Sequence, residues 1–533
     1  MTRTQDDFAR NGVPPAAHLP EFLFTLPELQ YPARMNAAAR LLGEQPREAL
    51  AVLNDAGQWT YGEMDDLSDR IARLLCEREG LLPGNRVLLR GPNTAMMFAA
   101  WAGVLKAGGV AVTTMPLLRG GEVAPIMAKA RIRHAIVDAR SLEGFDSEAA
   151  GFGALASLLS YNGDAGGGAL EARLADVAPG FIAHDTHTDD VALIAFTSGT
   201  TGVPKGCIQF HRDIMACADG FSRHLLRPRP GERWACSAPI AFTFGLGQLL
   251  IFPWASGGTA VTVEAPAPAA LLEAIERFKV NILATAPTAY KAMLTQLQGH
   301  DLGSLRTCVS AGEFLPAATS EAWTAATGLR IVEGIGATEM MHIFISAAGD
   351  DIRPGSTGKA VPGYTACVLD DDDRPLAQGT GRLAVKGPTG CRYFDDPRQA
   401  NYVINGWNVT GDSYRLDADG YFTYIGRSDD MIVSSGYNIA AVEVEAALAS
   451  HPAVQECAVI GVPCEERGQK VKAFVVPVPG YGEAPALIKA LQDHVKASIA
   501  PYKYPRDVEL VAALPKTATG KIQRFALRQN HQT

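Results

Sequence analysis

Between residues 85 and 335, short apolar runs alternate with segments of helical spacing, and this alternation limits the folds open to the chain. Arg86–Arg90, Ala135–Val137, Val191–Phe196, Ala260–Val263, Ile282–Thr285 and Thr307–Ser310 read as strands. Leu271–Phe278 and Ala289–Leu297 carry apolar residues three and four apart and read as helices between them. Strand–helix alternation predicts doubly wound, mostly parallel sheet covered by helices on both faces. A chain of 533 residues with 47% hydrophobic and 20% charged side chains can bury such a core, which excludes disorder as its main state.

Further along the texture changes. From about 355 to 425, short strands are broken by Gly, Pro and Asp turns, which predicts a small β-barrel-like unit. Beyond Arg427 come helix 442–449, strands 456–462 and 471–478, helix 486–497 and a basic terminal stretch, enough for a separate α+β domain. The expected division is a large N-terminal domain, 1–427, and a small C-terminal one, 428–533. The net charge of −9 argues against a nucleic-acid coat protein. Nine cysteines without a C-x-x-C pair, and an N-terminus without an apolar core, predict reduced thiols and a cytoplasmic protein. The 30 residues Trp234–Val263 contain no charged side chain or histidine, but Pro239, Gly245, Gly247, Pro253, Gly257 and Gly258 interrupt them. They read as buried turns and strands rather than a membrane span.

The strongest local signal is Thr197-Ser198-Gly199-Thr200-Thr201-Gly202-Val203-Pro204-Lys205-Gly206, directly after the strand 191–196. Glycines admit backbone N–H groups to a phosphate, hydroxyls donate, and Lys205 adds a positive point charge. Because Pro204 precedes the lysine, the Walker pattern cannot be placed on it.

With four further motifs in order, this segment resembles the acyl-adenylate-forming superfamily of AMP-forming acyl-CoA synthetases over about residues 61–524. Gly334-Ile335-Gly336-Ala337-Thr338-Glu339 is similar to its second signature, which implies that Glu339 holds magnesium. Thr410-Gly411-Asp412 resembles the site whose carboxylate takes the ribose hydroxyls, and Gly426-Arg427-Ser428-Asp429-Asp430 the ribose-contacting arginine and the hinge, with Asp429 at the pivot. Pro515–Lys521 resembles the catalytic-lysine loop, which makes Lys521 the adenylation catalyst, and Ser434-Ser435-Gly436-Tyr437 the strand lining a pantetheine tunnel. The resemblance adds Gly312, Glu313, Phe314 and Glu333 to the ATP/AMP-binding set and implies a mobile C-terminal domain. ATP, magnesium and coenzyme A follow as cofactor and cosubstrates.

The residue types suit the chemistry. A carboxylate must attack the α-phosphate of ATP, and the repulsion of two anions has to be offset by positive groups and a metal. Glu339 is a hard oxygen ligand for a partly hydrated magnesium ion. Asp412 can accept from both ribose hydroxyls, and Arg427 offers a planar donor fork.

Two segments resemble the benzoate- and 2-aminobenzoate-type aryl-CoA ligases. In Glu339–Phe344, His342 matches a histidine beside the aryl carboxylate. Ala241-Phe242-Thr243-Phe244-Gly245-Leu246-Gly247 matches the wall of a compact acyl pocket, completed by Ala286 and Gly336, with Phe252-Pro253-Trp254 and the stretch Phe22–Pro32 adding to it. Phe244 stands where a benzoate ligase tends to carry tyrosine, and Thr243 where it tends to carry alanine or glycine. A hydroxyl at 243 beside His342 suits an amino- or hydroxybenzoate, since a buried polar group left unpaired costs about 1–3 kcal/mol. The expected protein activates a small aromatic acid in aromatic-compound catabolism, without nucleic-acid or membrane partners, as a monomer or homodimer. Transfer to a carrier-protein thiol and a medium-chain fatty acyl substrate are the alternatives.

Overall fold

The computed structural model describes residues 5–143, 145–163, 169–197, 204–427, 432–434, 437–464, 467–481, 484–516 and 522–529. Two compact units emerge, one of residues 1–366 with 385–408, the other of 367–384 with 409–533.

The larger unit holds two sheets. The first has six strands in the order Ser157–Tyr161, His134–Asp138, Arg86–Arg90, Val110–Thr114, Val191–Thr197 and Lys205–Phe210. All neighbours run parallel except the last pair, a hairpin. Leu88, Val110, Val112, Ala135 and Val137 bury one face with Val123, Ile126 and Met127 of helix Gly120–Ala130. Their neighbours Val87, Leu89 and Ala111 point the other way and are equally buried, so both faces are covered, as a parallel sheet requires.

The second sheet has nine strands, with Ile331–Gly336, Thr307–Ala311, Ile282–Thr285, Arg233–Cys236, Thr259–Val261 and Leu50–Asn54 forming its parallel centre. Antiparallel edges, Ile343–Ser346 and Lys359–Ala360 at one side and Gly57–Thr60 at the other, close it off. Helices Pro268–Phe278, Pro287–Leu294 and Ala317–Thr327 pack on one face through Leu271, Ile275, Tyr290, Met293 and Trp323. The Tyr290 hydroxyl lies 3.1 Å from the carbonyls of both Leu283 and Val309 and shares its one proton between them, so its polar tip is not orphaned in that core.

The uncharged stretch departs from the buried turns and strands expected of it. Between its flanking strands the uncharged stretch Trp234–Val263 is largely helical: Thr243–Leu246, a wide π-turn over Gly247–Ile251, then Phe252–Ser256. The residues read as breakers are there for packing. Pro253 follows just after the π-turn, where the regular ladder of helical hydrogen bonds is already interrupted. A Cβ on Gly245 would stand 2.2 Å from the Pro239 carbonyl, so its bare backbone is a close approach and not a turn. Among the described residues, no helix is long and apolar enough to cross a membrane.

In the smaller unit, strand residues Asp412–Leu416 pair antiparallel with Phe422–Arg427. A separate five-stranded sheet is built on the long hairpin Val454–Cys464 and Gly468–Pro477. Helices Ala441–Ala449 and Ala484–Ser498 cover it through Val444, Leu448, Leu491 and Val495 against Val459, Val471 and Val475. The fold is mixed α/β, with large parallel sheets first and a small α+β part after.

Candidate active site

The loop expected to wrap phosphate is anchored as a hairpin. Thr197 pairs with Lys205 across the antiparallel strands, so both ends of the loop stand side by side at the sheet's edge. Ser198, Gly199, Thr200, Thr201 and Gly202 lie outside the described residues. Lys205 donates from Nζ to the hydroxyl of Tyr393 at 3.4 Å.

Glu339 sits on the short turn Thr338–Met340 that follows strand Ile331–Gly336. The turn is clamped from both sides: Gln209 Nε2 donates to the Thr338 carbonyl and Thr389 Oγ1 to that of Met340, both at 2.8 Å. Met341 reverses the chain at φ +65, and the next residue, His342, is thereby turned inward. The Tyr393 hydroxyl donates to Oε1 of Glu339 at 2.5 Å. Among the described residues no hydrogen bond or ion pair reaches the second oxygen of this half-buried carboxylate, and a hard oxygen donor of this kind suits a cation that keeps most of its waters. The donor fits magnesium.

The adjacent strand, Thr307–Ala311, ends at Gly312 with φ +88, and Glu313 and Phe314 follow. Glu333 accepts from the Leu315 N–H at 3.3 Å, joining that turn to the neighbouring strand, and burial raises its carboxyl to about 7. Gly334 and Gly336 are bare for contact reasons: a Cβ would meet Ile343 at 2.6 Å in one case and the His342 carbonyl at 2.8 Å in the other.

His342 is 2% exposed and packed among rings. Phe244 lies parallel to it at 5.7 Å, Phe221 tilted at 5.4 Å and Phe252 edge-on at 4.6 Å. Among the described residues neither ring nitrogen makes a hydrogen bond of good geometry, although the Phe244 backbone lies close enough to one of them to favour its protonated form. Burial lowers the pKa to about 3, outweighing the opposing pull of the Phe244 backbone, so the ring is neutral. A buried imidazole without a good hydrogen bond is costly, and structural histidines are normally satisfied. Phe242 and Phe244 are half-buried, and Thr243 is buried at the start of the helix they open. Ala286 precedes helix Pro287–Leu294 at the carboxyl end of a parallel strand, where α/β sheets present their ligands.

In the smaller unit, Asp412 and Arg427 are register partners on adjacent strands. Arg427 Nη1 donates to Asp412 Oδ1 at 3.3 Å and to the Thr410 carbonyl at 3.2 Å. Gly411, at φ +78, makes room: a Cβ there would stand 2.9 Å from the guanidinium. Ser434 is 3% exposed and pairs with Tyr437, of which only the backbone is described. Ser435, Gly436, the hinge residue Asp429 and Lys521 lie outside the described residues. Lys516 and Ile522 pair across residues 517–521.

A family model described as AMP-binding enzyme matches residues 39–393, and its C-terminal-domain model matches 443–521. The chain belongs to the AMP-binding enzymes. Within that family it is an AMP-forming acid–CoA ligase. It is similar to a benzoate–CoA ligase of Thauera aromatica, 39% identical over 520 residues covering 95% of this chain and 98% of the relative. Among solved structures, the anthranilate CoA ligase AuaEII with anthranoyl-AMP matches with a TM-score of 0.89 at 36% identity, covering 95% of this chain and 99% of that one. The mouse acyl-coenzyme A synthetase ACSM3 is 32% identical over 89% of this chain and 84% of its own length.

No motif or periodicity in the sequence marks Tyr393, Gln209 or Phe221. Tyr393 lies 188 residues from Lys205, and a lone tyrosine between Arg392 and Phe394 carries no periodic or spacing signal.

Proposed function

We propose that this ligase activates a small aromatic carboxylic acid of the benzoate or 2-aminobenzoate type to its CoA thioester. The observation that carries the reading is His342, neutral, without a good hydrogen bond among the described residues and boxed by Phe221, Phe244 and Phe252. Such a box presents aromatic faces to a ring and one polar edge to its substituent or carboxylate. Similarity to a benzoate–CoA ligase and to an anthranilate CoA ligase supports it.

In the first step a carboxylate oxygen of the acid attacks the α-phosphorus of ATP, the bond to the β-phosphate oxygen breaks, and pyrophosphate leaves. Thr197–Gly202 and Lys205 are assigned to the phosphates. Gly312–Phe314, Glu333–Gly336 and Thr338 are assigned to the remaining nucleotide contacts, and Asp412 and Arg427 to the ribose. Glu339 would hold magnesium, which when bound neutralises phosphate charge. Lys521 is assigned to the charge developing between carboxylate and α-phosphate. In the second step a thiolate attacks the acyl carbonyl and AMP leaves. Ser434–Tyr437 are assigned to the pantetheine arm, and residues 428–533 would present Lys521 and that strand in turn, pivoting at Asp429.

The test is pyrophosphate release with benzoate, aminobenzoates, hydroxybenzoates, phenylacetate and hexanoate, with and without CoA. CoA-dependent turnover that is strongest on a small benzoate is expected. A hexanoate rate above all benzoates would favour the aliphatic reading that the ACSM3 relative keeps open. Pyrophosphate release without thioester formation from CoA would favour a carrier-protein acceptor.

A further inference from the structure

We propose that Tyr393 is a positioning residue of the nucleotide site, standing between Lys205 and Glu339 so that both charges stay available to the substrate. Its hydroxyl donates to Glu339 at 2.5 Å and accepts from Lys205 Nζ at 3.4 Å, and that ammonium lies 5.2 Å from the centre of the phenol ring. A lysine and a glutamate this close would otherwise meet as a direct ion pair, and each would neutralise the other before a nucleotide arrived. No such pair forms among the described residues. A hydroxyl that donates to one and accepts from the other satisfies both without cancelling either.

The tyrosine is itself held in place. It is 1% exposed, its backbone N–H donates to Gln399 Oε1 at 2.9 Å, and Tyr402 packs edge-on against its ring at 5.6 Å. Its segment runs beside the strand that starts at Lys205: the Ile208 N–H donates to the Arg392 carbonyl and the Phe394 N–H to that of Gly206. The same strand carries Gln209, which clamps the turn of Glu339. Lysine, tyrosine and glutamate are thus fixed relative to one another through a single strand.

This inference rests on the reading above, in which Lys205 meets phosphate and Glu339 meets magnesium. The test measures manganese affinity by electron paramagnetic resonance, with and without a non-hydrolysable ATP analogue, together with melting temperature. Wild type, Tyr393→Phe, Tyr393→His and the pair Glu339→Gln and Glu339→Gln/Tyr393→Phe are compared. In Tyr393→Phe, a folded protein with manganese bound about tenfold more weakly is expected, since a hydrogen bond to a charged ligand is lost. Its KM for the metal–ATP complex should rise more than its kcat falls. Tyr393→His keeps a donor and should recover to within about threefold of wild type. Adding Tyr393→Phe to Glu339→Gln should cost nothing further in metal affinity.

Unchanged manganese affinity in a folded Tyr393→Phe, a histidine variant no better than phenylalanine, or full additivity with Glu339→Gln each overturns the proposal. A wild type that binds manganese equally with and without the analogue overturns the nucleotide-site reading itself.

Discussion

A Cβ added to Gly247 would stand 2.4 Å from Cδ2 and 2.6 Å from Nε2 of His342. The wide π-turn at Gly247–Ile251 brings bare backbone against the imidazole, and Phe244 and Phe252 lie against the ring from the same helical stretch. Such π-turns recur at functional sites, where they re-aim a helix face. Gly247 is therefore the residue that lets His342 enter its box.

Gly247→Ala should displace His342. Overpacking of this kind costs about 1–3 kcal/mol, so the melting temperature should fall and kcat/KM for the aromatic acid should drop about tenfold or more. Wild-type values for both in a calorimetric scan and a turnover assay would refute the tight fit.

His342 should leave a mark on stability below neutrality. Its ring stays neutral in the folded protein down to about 3, whereas in the unfolded chain it protonates near 6.5. The stability tied to the neutral ring is present in full above pH 6.5 and is lost as pH falls from 6.5 toward 3. Denaturant titrations over that window should show wild type losing up to about 1.4 kcal/mol per pH unit more than His342→Leu. His211, also buried and lowered to about 3, contributes the same slope to both proteins and cancels. Parallel slopes would mean that His342 is protonated in the folded state.

Thr243→Ala probes ring substituents. Thr243 is 8% exposed, at the start of the helix that carries Phe244 and Gly247. If its hydroxyl pairs with an amino or hydroxyl group of the substrate, the ratio of kcat/KM for 2-aminobenzoate over benzoate should fall about tenfold. An unchanged ratio would remove Thr243 as the discriminator.

Lys521→Ala separates the two half-reactions. Acyl-AMP formation from acid and ATP should fall at least about 100-fold. Thioester formation from preformed aryl-AMP should stay within about twofold of wild type. Equal losses in both assays would make Lys521 structural.

Much of this was written in local pattern. The strands Arg86–Arg90 and Ile282–Thr285 coincide with the apolar runs that announced them, because strands buried on both faces read as short continuous hydrophobic segments. Asp412 and Arg427 were legible too, as members of short motifs, although only the sheet register makes them neighbours. Phe242–Phe244 and His342 were legible as residue types, and their stacking was not.

The sequence by itself determined the alternating α/β architecture and the motif order that places the chain among the AMP-binding enzymes, and it named the residue types of the candidate site, since each depends on near neighbours along the chain. Tertiary structure decided what depends on distant ones. The helical course of Thr243–Ser256 overrides its glycines and Pro253 because Gly245 and Gly247 are bare to fit Pro239 and His342. Tyr393 reaches Lys205 across 188 residues and Glu339 across 54, and no periodicity in one chain encodes a contact at that separation.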